Sequence, residues 1–383
     1  MFLEKTVKRN KTLIDEAIRL HGENRILPDT YVVDLDTLLD NAKKMLDLAK
    51  EKNIKLLFML KQLGRNPYIA KKLVELGYEG AVVVDFNEAK VMMDNKIPIG
   101  NVGNLVQIPE AMVEEIVEYG VGVITVFSID KLKTINRAAK KAGKVQRVIL
   151  RVYSDNDTMY PGQEAGISIE NLKGFIEETR HLDNIKIVGI TSFPAFLYDE
   201  EKGKIFKEKN YETIFTAKKE LEKLGLEIEH INLPSATCIK NIEDNFRGEN
   251  LVGEPGHGLS GTTPMHAVYD LEERPCVIYL SEISHNFKGK SYAYGGGYYR
   301  RSHVKNCLVF ENKKEIQDQV LKMDDESIDY YFQLKNEHKV GSPVIMAFRF
   351  QIFVTRSKLA LLENLEGACK IVGLYDSLGK ELK

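Results

Sequence analysis

The sequence has no tryptophan, only four cysteines and eleven prolines, and almost no excess of charge: 54 Lys and Arg against 56 Asp and Glu leave a net −2. A chain so close to neutrality has no field able to hold a nucleic-acid backbone, so no nucleic-acid partner is expected. Cys238, Cys276, Cys307 and Cys369 stand too far apart for a CxxC metal or redox pair and suggest no disulfide framework. They read as reduced thiols, with no metal site. No window approaches the ~18 uninterrupted apolar residues of a spanning helix, and Met1-Phe2-Leu3-Glu4-Lys5 opens no apolar signal core. The expectation is a soluble, cytoplasmic protein with no membrane partner.

What is present is a chain of 383 residues, 43% hydrophobic and 29% charged, enough for one large α/β unit plus an accessory domain. From about residue 31 to 254, short β-branched runs alternate with amphipathic stretches, the pattern of βα units feeding a parallel sheet. Strands are expected at 31–35, 55–60, 80–84, 98–102, 122–127, 147–153, 186–191, 229–233 and 251–253. Setting the first aside leaves eight. Helices fit between them at 37–52 (capped by Asp36), 67–76 (Asn66 as cap, Pro67 first) and 206–224, which ends at Gly225. Eight repeats without a Gly-rich first turn predict an α/β fold, a TIM (β/α)8 barrel over 26–265, in preference to an open doubly wound sheet. After Pro264 the texture becomes strand-like, with a helix expected around Glu326. Residues 266–383 are therefore read as a mostly β domain, joined by residues 1–25 as a basic amphipathic helix.

Lys61 closes the apolar run Leu56-Leu57-Phe58-Met59-Leu60, which puts a primary amine at the C-terminal end of a strand, where barrels do their chemistry. Desolvation there would free the amine to form an imine; the plain alternative is a strand-end lysine reaching to solvent. Gly253-Glu254-Pro255-Gly256-His257-Gly258-Leu259-Ser260-Gly261 follows the eighth strand, and closure would bring it opposite Lys61. Its glycines match GxGxxG, but the segment ends the βα series and runs into Thr262-Thr263-Pro264, so a dinucleotide reading is weak. A nest of backbone N–H groups around Gly256, His257 and Gly258, with Ser235 from the loop after strand seven, suits one phosphate; ordinary turn chemistry is the alternative. An imine-forming lysine, a phosphate cradle and the Glu254 carboxylate together meet the requirements of pyridoxal 5′-phosphate.

These residues resemble the fold-type III pyridoxal phosphate enzymes, the alanine racemase and ornithine/diaminopimelate decarboxylase group. Tyr31-Val32-Val33-Asp34-Leu35-Asp36 resembles that group's opening strand, Phe58 to Lys61 its Schiff-base strand and Ile149-Leu150-Arg151-Val152-Tyr153 its fifth barrel strand. Glu254-Pro255-Gly256-His257 is similar to the family's Glu-Pro-Gly-Arg, and Gly166-Ile167-Ser168 and Ser235-Ala236 match further turns. A racemase-like branch is marked by Lys61-Gln62-Leu63-Gly64-Arg65-Asn66-Pro67 and Ser284-His285-Asn286-Phe287. The resemblance implies a Lys61 Schiff base, Glu254 on the ring nitrogen, a homodimer with shared active sites, and Cα proton abstraction from a small amino acid, hence racemisation or epimerisation.

Departures shape the expectation. Where the family stacks a histidine on the cofactor, this chain offers Ser192 or Phe193; Phe193 can stack but cannot titrate. His257 in place of arginine leaves less fixed positive charge, with weaker or pH-sensitive cofactor binding. None of the four cysteines is followed by Asp, which speaks against the decarboxylase pair. Arg151 and Arg356 are candidate phosphate or carboxylate partners, each with a structural ion pair as the alternative. The second Gly and Tyr cluster, from Ser291 to Arg301, is either a turn or half of a shared site, with Tyr294 and His285 as candidates for the second base. Rival functions are decarboxylation or aldol cleavage on the same fold, a cofactor-binding regulatory or cofactor-handling protein, and a barrel without pyridoxal phosphate acting on a sugar phosphate.

Overall fold

The computed structural model describes residues 1–382. The N-terminal segment is two helices, α1 (Phe2–Arg9) and α2 (Lys11–Gly22), where one was expected. Asn10 makes the break: its backbone leaves the helical region (φ −154°, ψ 55°) and its side chain accepts from Leu13 N at 3.4 Å. Its amide also donates to Asp34 Oδ2 at 2.9 Å and to the Pro275 carbonyl at 3.0 Å. Next come β1 (Thr30–Asp34) and α3 (Leu35–Glu51). The α3 cap is Asp34, whose carboxylate accepts from Thr37 N at 3.0 Å, and not Asp36.

The barrel strands are β2 (Lys55–Leu56), β3 (Ala81–Val82), β4 (Ile99–Val102), β5 (Val123–Val126), β6 (Gln146–Tyr153), β8 (Ile185–Thr191), β11 (His230–Leu233) and β12 (Leu251–Gly253). Between them lie a short β7 (Ile167–Ser168) paired to β6 and a hairpin of β9 (Phe196–Asp199) with β10 (Lys204–Lys207), which the sequence pattern did not show. The helices are α4 (Pro67–Leu76), α5 (Phe86–Asp94), α6 (Val113–Tyr119), α7 (Ile129–Lys141), α8 (Leu172–Thr179), α9 (Lys209–Lys223) and α10 (Ile239–Asn245). All barrel pairings are parallel and follow chain order from β3 round to β12 and β2. Phe58, fully buried, bridges to Ala81, with Phe58 N on the Gly80 carbonyl at 3.0 Å and Val82 N on the Phe58 carbonyl at 2.8 Å. That bridge closes the ring, so the eight expected strands form a closed (β/α)8 barrel.

The remaining strands are β13 (Val277–Phe287), β14 (Lys290–Tyr294), β15 (Asn306–Glu311), β16 (Lys314–Gln319), β17 (Tyr331–Leu334), β18 (Pro343–Met346), β19 (Lys358–Glu363) and β20 (Lys370–Asp376). With β1 they form one sheet, β16-β15-β18-β13-β1-β19-β20, with β14 paired to β13 and β17 to β14. Leu13, Ile14, Ala17 and Leu20 of α2 bury against Val32, Ile278 and Leu280 of this sheet, each fully buried Leu or Ile contributing roughly 1.5–3 kcal/mol. The helix expected around Glu326 is absent: Asp324 accepts from Glu326 N through its side chain (2.9 Å) and from Ser327 N through its carbonyl (3.1 Å), a turn.

Two compact units divide the chain. One holds Lys43–Leu60 and Pro67–Gly256; the other holds Met1–Ala42, Lys61–Asn66 and the chain from His257 onward. The physical reason is β1, which hydrogen-bonds to β13 and β19 and draws the segment before the barrel into the later sheet.

Candidate active site

In the barrel unit, Glu254 directly follows β12 and is 8% exposed. Asn232 Nδ2 donates to its Oε1 at 2.8 Å, and Asn104 Nδ2 lies 3.4 and 3.5 Å from Oε1 and Oε2. Asn232 also donates to Thr191 Oγ1 at 3.1 Å, and Glu254 N donates to Thr237 Oγ1 at 3.1 Å. Amide nitrogens only donate, so these contacts hold the carboxylate as an acceptor. The amide oxygens Asn104 Oδ1 and Asn232 Oδ1 are buried without a hydrogen-bond partner. Arg151 is buried on β6; its Nη1 donates to the Asn104 carbonyl at 3.3 Å, its Nη2 to the Gln163 carbonyl at 2.8 Å, and its guanidinium sits 5.1 Å over the Phe127 ring. Burial pushes its pKa down to about 10, which leaves it charged at neutral pH.

Ser235 and Ala236, in the loop after β11, both take left-handed backbone (φ +88° and +50°), a conformation costing a non-glycine residue roughly 1–2 kcal/mol. Strain of that kind marks a loop whose shape is over-determined by its surroundings. The Ser235 hydroxyl donates to the Phe196 carbonyl at 2.5 Å, which leaves its lone pairs as acceptors only. Phe193 is half-buried, its ring 5.7 Å from Tyr160.

In the other unit, Lys61 opens the turn Lys61–Leu63 immediately after buried Leu60. The two strands that lead to Lys61 and to Glu254 are neighbours in the barrel, Leu56 opposite Gly253 and Met59 N on the Pro255 carbonyl at 2.9 Å. His257 Nε2 faces the Phe350 carbonyl at 2.9 Å and must carry the proton, because a carbonyl only accepts. Burial first, then the charge of Arg349, holds its pKa well below the ordinary 6.5, with Lys61 adding to the effect. The imidazole is therefore neutral. Of the three glycines once matched to GxGxxG, Gly261 takes the left-handed conformation (φ +62°), where a Cβ would meet the Arg274 carbonyl at 2.3 Å. Gly256 and Gly258 do not, so the lack of Cβ that the nest reading invoked is demanded at Gly261 by packing.

Arg356 makes the ion pair named as its alternative role: its guanidinium is exposed and pairs with Asp329 at 2.7 Å. Tyr294 (37% exposed) and exposed His285 lie on β14 and β13 among other rings: His285 stacks on Tyr292 at 4.7 Å, and Tyr294 is 6.1 Å from Tyr331. The glycines beside them are tightly packed, Gly296 (φ +124°) against the Asp29 carboxylate and Gly297 against Tyr279, its carbonyl accepting from Tyr31 at 2.6 Å. This segment is thus a packed turn that carries Tyr294 at its edge. Asn104 and Asn232 were missed by sequence reasoning; the available signal was a polar residue just after one apolar strand and within another.

Within the barrel unit, a buried acceptor carboxylate braced by amides and a strained loop after the seventh barrel strand fit pyridoxal 5′-phosphate. Comparison with known proteins agrees. Residues 33–264 match the alanine racemase N-terminal domain, and residues 278–371 match the YhfX-like C-terminal domain. "Uncharacterized protein YhfX" of Escherichia coli (strain K12) is 44% identical over 100% of both chains. "Alanine racemase 2" of Caldanaerobacter subterraneus subsp. tengcongensis is 26% identical over 69% of this chain and 67% of its own. The structure of diaminopimelate decarboxylase from Helicobacter pylori, complexed with L-lysine, superposes with a TM-score of 0.68 at 14% identity, covering 95% of this chain and 96% of that one. The chain belongs to the alanine racemase N-terminal domain family, among the fold-type III enzymes that depend on pyridoxal phosphate.

Proposed function

We propose that this protein is an amino acid racemase or epimerase, working in the cytoplasm as a homodimer on a small amino acid. The observation that carries the reading is Glu254, a buried carboxylate held as an acceptor by Asn232 and Asn104 at the C-terminal end of the barrel. Pyridoxal phosphate bound there, its ring nitrogen protonated, supplies an electron sink that acidifies the Cα–H of an attached amino acid. Lys61 is the amine that would hold the cofactor's aldehyde carbon and afterwards carry a proton to or from Cα on one face. The backbone N–H groups around Ser235, Gly256 and Gly258 would hold the phosphate, since the Ser235 hydroxyl is committed to Phe196, with Phe193 as the apolar wall. Racemisation needs a second acid or base on the opposite face. Tyr294 and His285, both exposed in the single chain, are the candidates for supplying it to a second copy's site.

Decarboxylation loses support from the thiols. Cys238, Cys276 and Cys307 are fully buried, and burial together with Glu16 pushes Cys369 up to about 11, so no thiol is both exposed and activated.

The test is reconstitution with pyridoxal phosphate, borohydride reduction and mapping of the label, followed by single enantiomers of a panel of amino acids in D2O. The expected result is a label on Lys61, both enantiomers in the product, deuterium at Cα and an unchanged carbon count. Release of carbon dioxide or an aldehyde would replace racemase by decarboxylase or aldolase. A protein that takes up no cofactor, or a Lys61→Ala variant labelled as well as the wild type, overturns the reading altogether.

A further inference from the structure

Resting on that reading, we infer that Asn232 and Asn104 are positioning residues, with Arg151 acting through the Asn104 backbone: they fix the Glu254 carboxylate as acceptor for the cofactor's ring nitrogen and so set how tightly the ring is held and protonated. The geometry is one of converging strand ends. Asn232, on β11, commits its amide nitrogen twice, to Thr191 Oγ1 on β8 and to Glu254 Oε1. A flipped amide would set its oxygen against the carboxylate, so the rotamer is locked by charge as well as by packing. Asn104 straddles both Glu254 oxygens from the loop after β4. Its own position is pinned by Arg151 of β6, which is held in turn by the Gln163 carbonyl and the Phe127 ring. Gly103 makes the approach possible. It has φ +92°, and a Cβ on it would lie 2.7 Å from the Thr125 carbonyl of β5.

The consequence follows from the donor count. A carboxylate supplied with neutral donors stays available as an anion, whereas one given a like-charged neighbour at hydrogen-bond distance must share a proton with it. Asn232→Asp makes that change with no change of shape. Asn232 and Asn104 supply neutral donors to this carboxylate, Thr191 holds Asn232, Thr237 accepts from the Glu254 backbone N–H, and Arg151 is the charged group behind Asn104.

The experiment measures pyridoxal phosphate affinity and the pH dependence of the visible absorbance of the loaded, substrate-free protein. Wild type, Asn232→Asp, Asn232→Ala and Asn104→Ala are compared, with circular dichroism of each apo form as the check on folding. Loss of a charge-assisted hydrogen bond predicts about tenfold weaker binding in Asn232→Ala and a smaller loss in Asn104→Ala. Asn232→Asp should add a titration between about pH 6 and 9 that the wild type lacks. In a Glu254→Gln background the Asn232→Ala effect should largely vanish, which a merely structural role would not produce. Should Asn232→Asp not fold, Asn104→Ala and its double variant with Glu254→Gln decide the matter. Wild-type affinity and pH profile in the folded asparagine variants, or additive losses with Glu254→Gln, overturn this inference and leave Lys61 and the cofactor untouched. A wild type that binds no cofactor overturns the proposed function and this inference with it.

Discussion

His230 should make the barrel acid-sensitive. It opens β11 two residues before Asn232, is 8% exposed, and its Nε2 has no hydrogen-bond partner. Burial first, then the charges of Lys55 and Arg147, lowers its pKa from the ordinary 6.5 to about 3. The native ring therefore stays neutral while the unfolded chain takes up a proton as pH falls through 6.5. With more protons bound by the unfolded state, stability falls with falling pH, starting near 6.5 and levelling off near 3. At 1.36 kcal/mol per pH unit the whole window is worth about 5 kcal/mol, and about 2 kcal/mol of it is lost by pH 5. That is a large share of a typical 5–15 kcal/mol total. The assay is urea unfolding of the apo protein at pH 7 and pH 5, wild type against His230→Phe, which keeps a ring and cannot titrate. Carboxylates elsewhere affect both proteins alike and cancel in the difference. The wild type should lose about 2 kcal/mol more than the variant between the two pH values. A difference below about 0.5 kcal/mol, or an NMR titration of His230 near its ordinary value, refutes the argument.

Gly189 lies opposite His230 in the β8–β11 ladder, and a Cβ there would sit 2.0 Å from the His230 carbonyl oxygen, a backbone atom that cannot yield. Gly189→Ala should cost about 3 kcal/mol or more in thermal or urea unfolding, while Gly174→Ala in α8, with nothing within 4 Å, should be neutral or stabilise by up to about 1 kcal/mol. Thiol labelling of the native protein at pH 7 should spare Cys238, Cys276 and Cys307, all fully buried, and reach Cys369 slowly, whereas unfolding exposes all four. Fast labelling of any buried thiol would show that its element opens locally. Asn10→Ala should lower stability by about 1–3 kcal/mol, since it removes the α2 cap and the amide that holds Asp34, and it should leave cofactor binding unchanged.

The barrel was legible because its strands are buried on both faces and read as continuous β-branched runs, such as Val123–Val126, bounded by glycines or charges. Setting the 31–35 run aside was right in outcome, but the pattern held no reason for its place. Thr30–Asp34 looks like a barrel strand and pairs instead with Lys358–Glu363, more than three hundred residues away. Local competition accounts for the misread helices. Asn10 satisfies Leu13 N and breaks an otherwise continuous amphipathic pattern, and Asp324 satisfies Glu326 N and forestalls a helix.

At the site, legibility followed sequence distance. Glu254-Pro255-Gly256-His257 is contiguous and could be read directly, but the amides that brace Glu254 stand 22 and 150 residues away: Asn104, after a strand, looks like turn chemistry, and Asn232 is a single polar residue inside one. His257 was legible in position, and the structure adds what surrounds it. A histidine where the family has arginine suggests a charge that comes and goes near neutral pH. Here burial and the nearby charge of Arg349 hold the ring neutral, and its Nε2–H is committed to the Phe350 carbonyl. In the ligand-free chain the ring is therefore neutral near physiological pH. An anion approaching this loop meets a neutral ring, so backbone N–H groups supply its first hydrogen bonds, and the Glu254 network and the acid sensitivity of β11 are further places where a pH dependence of binding arises.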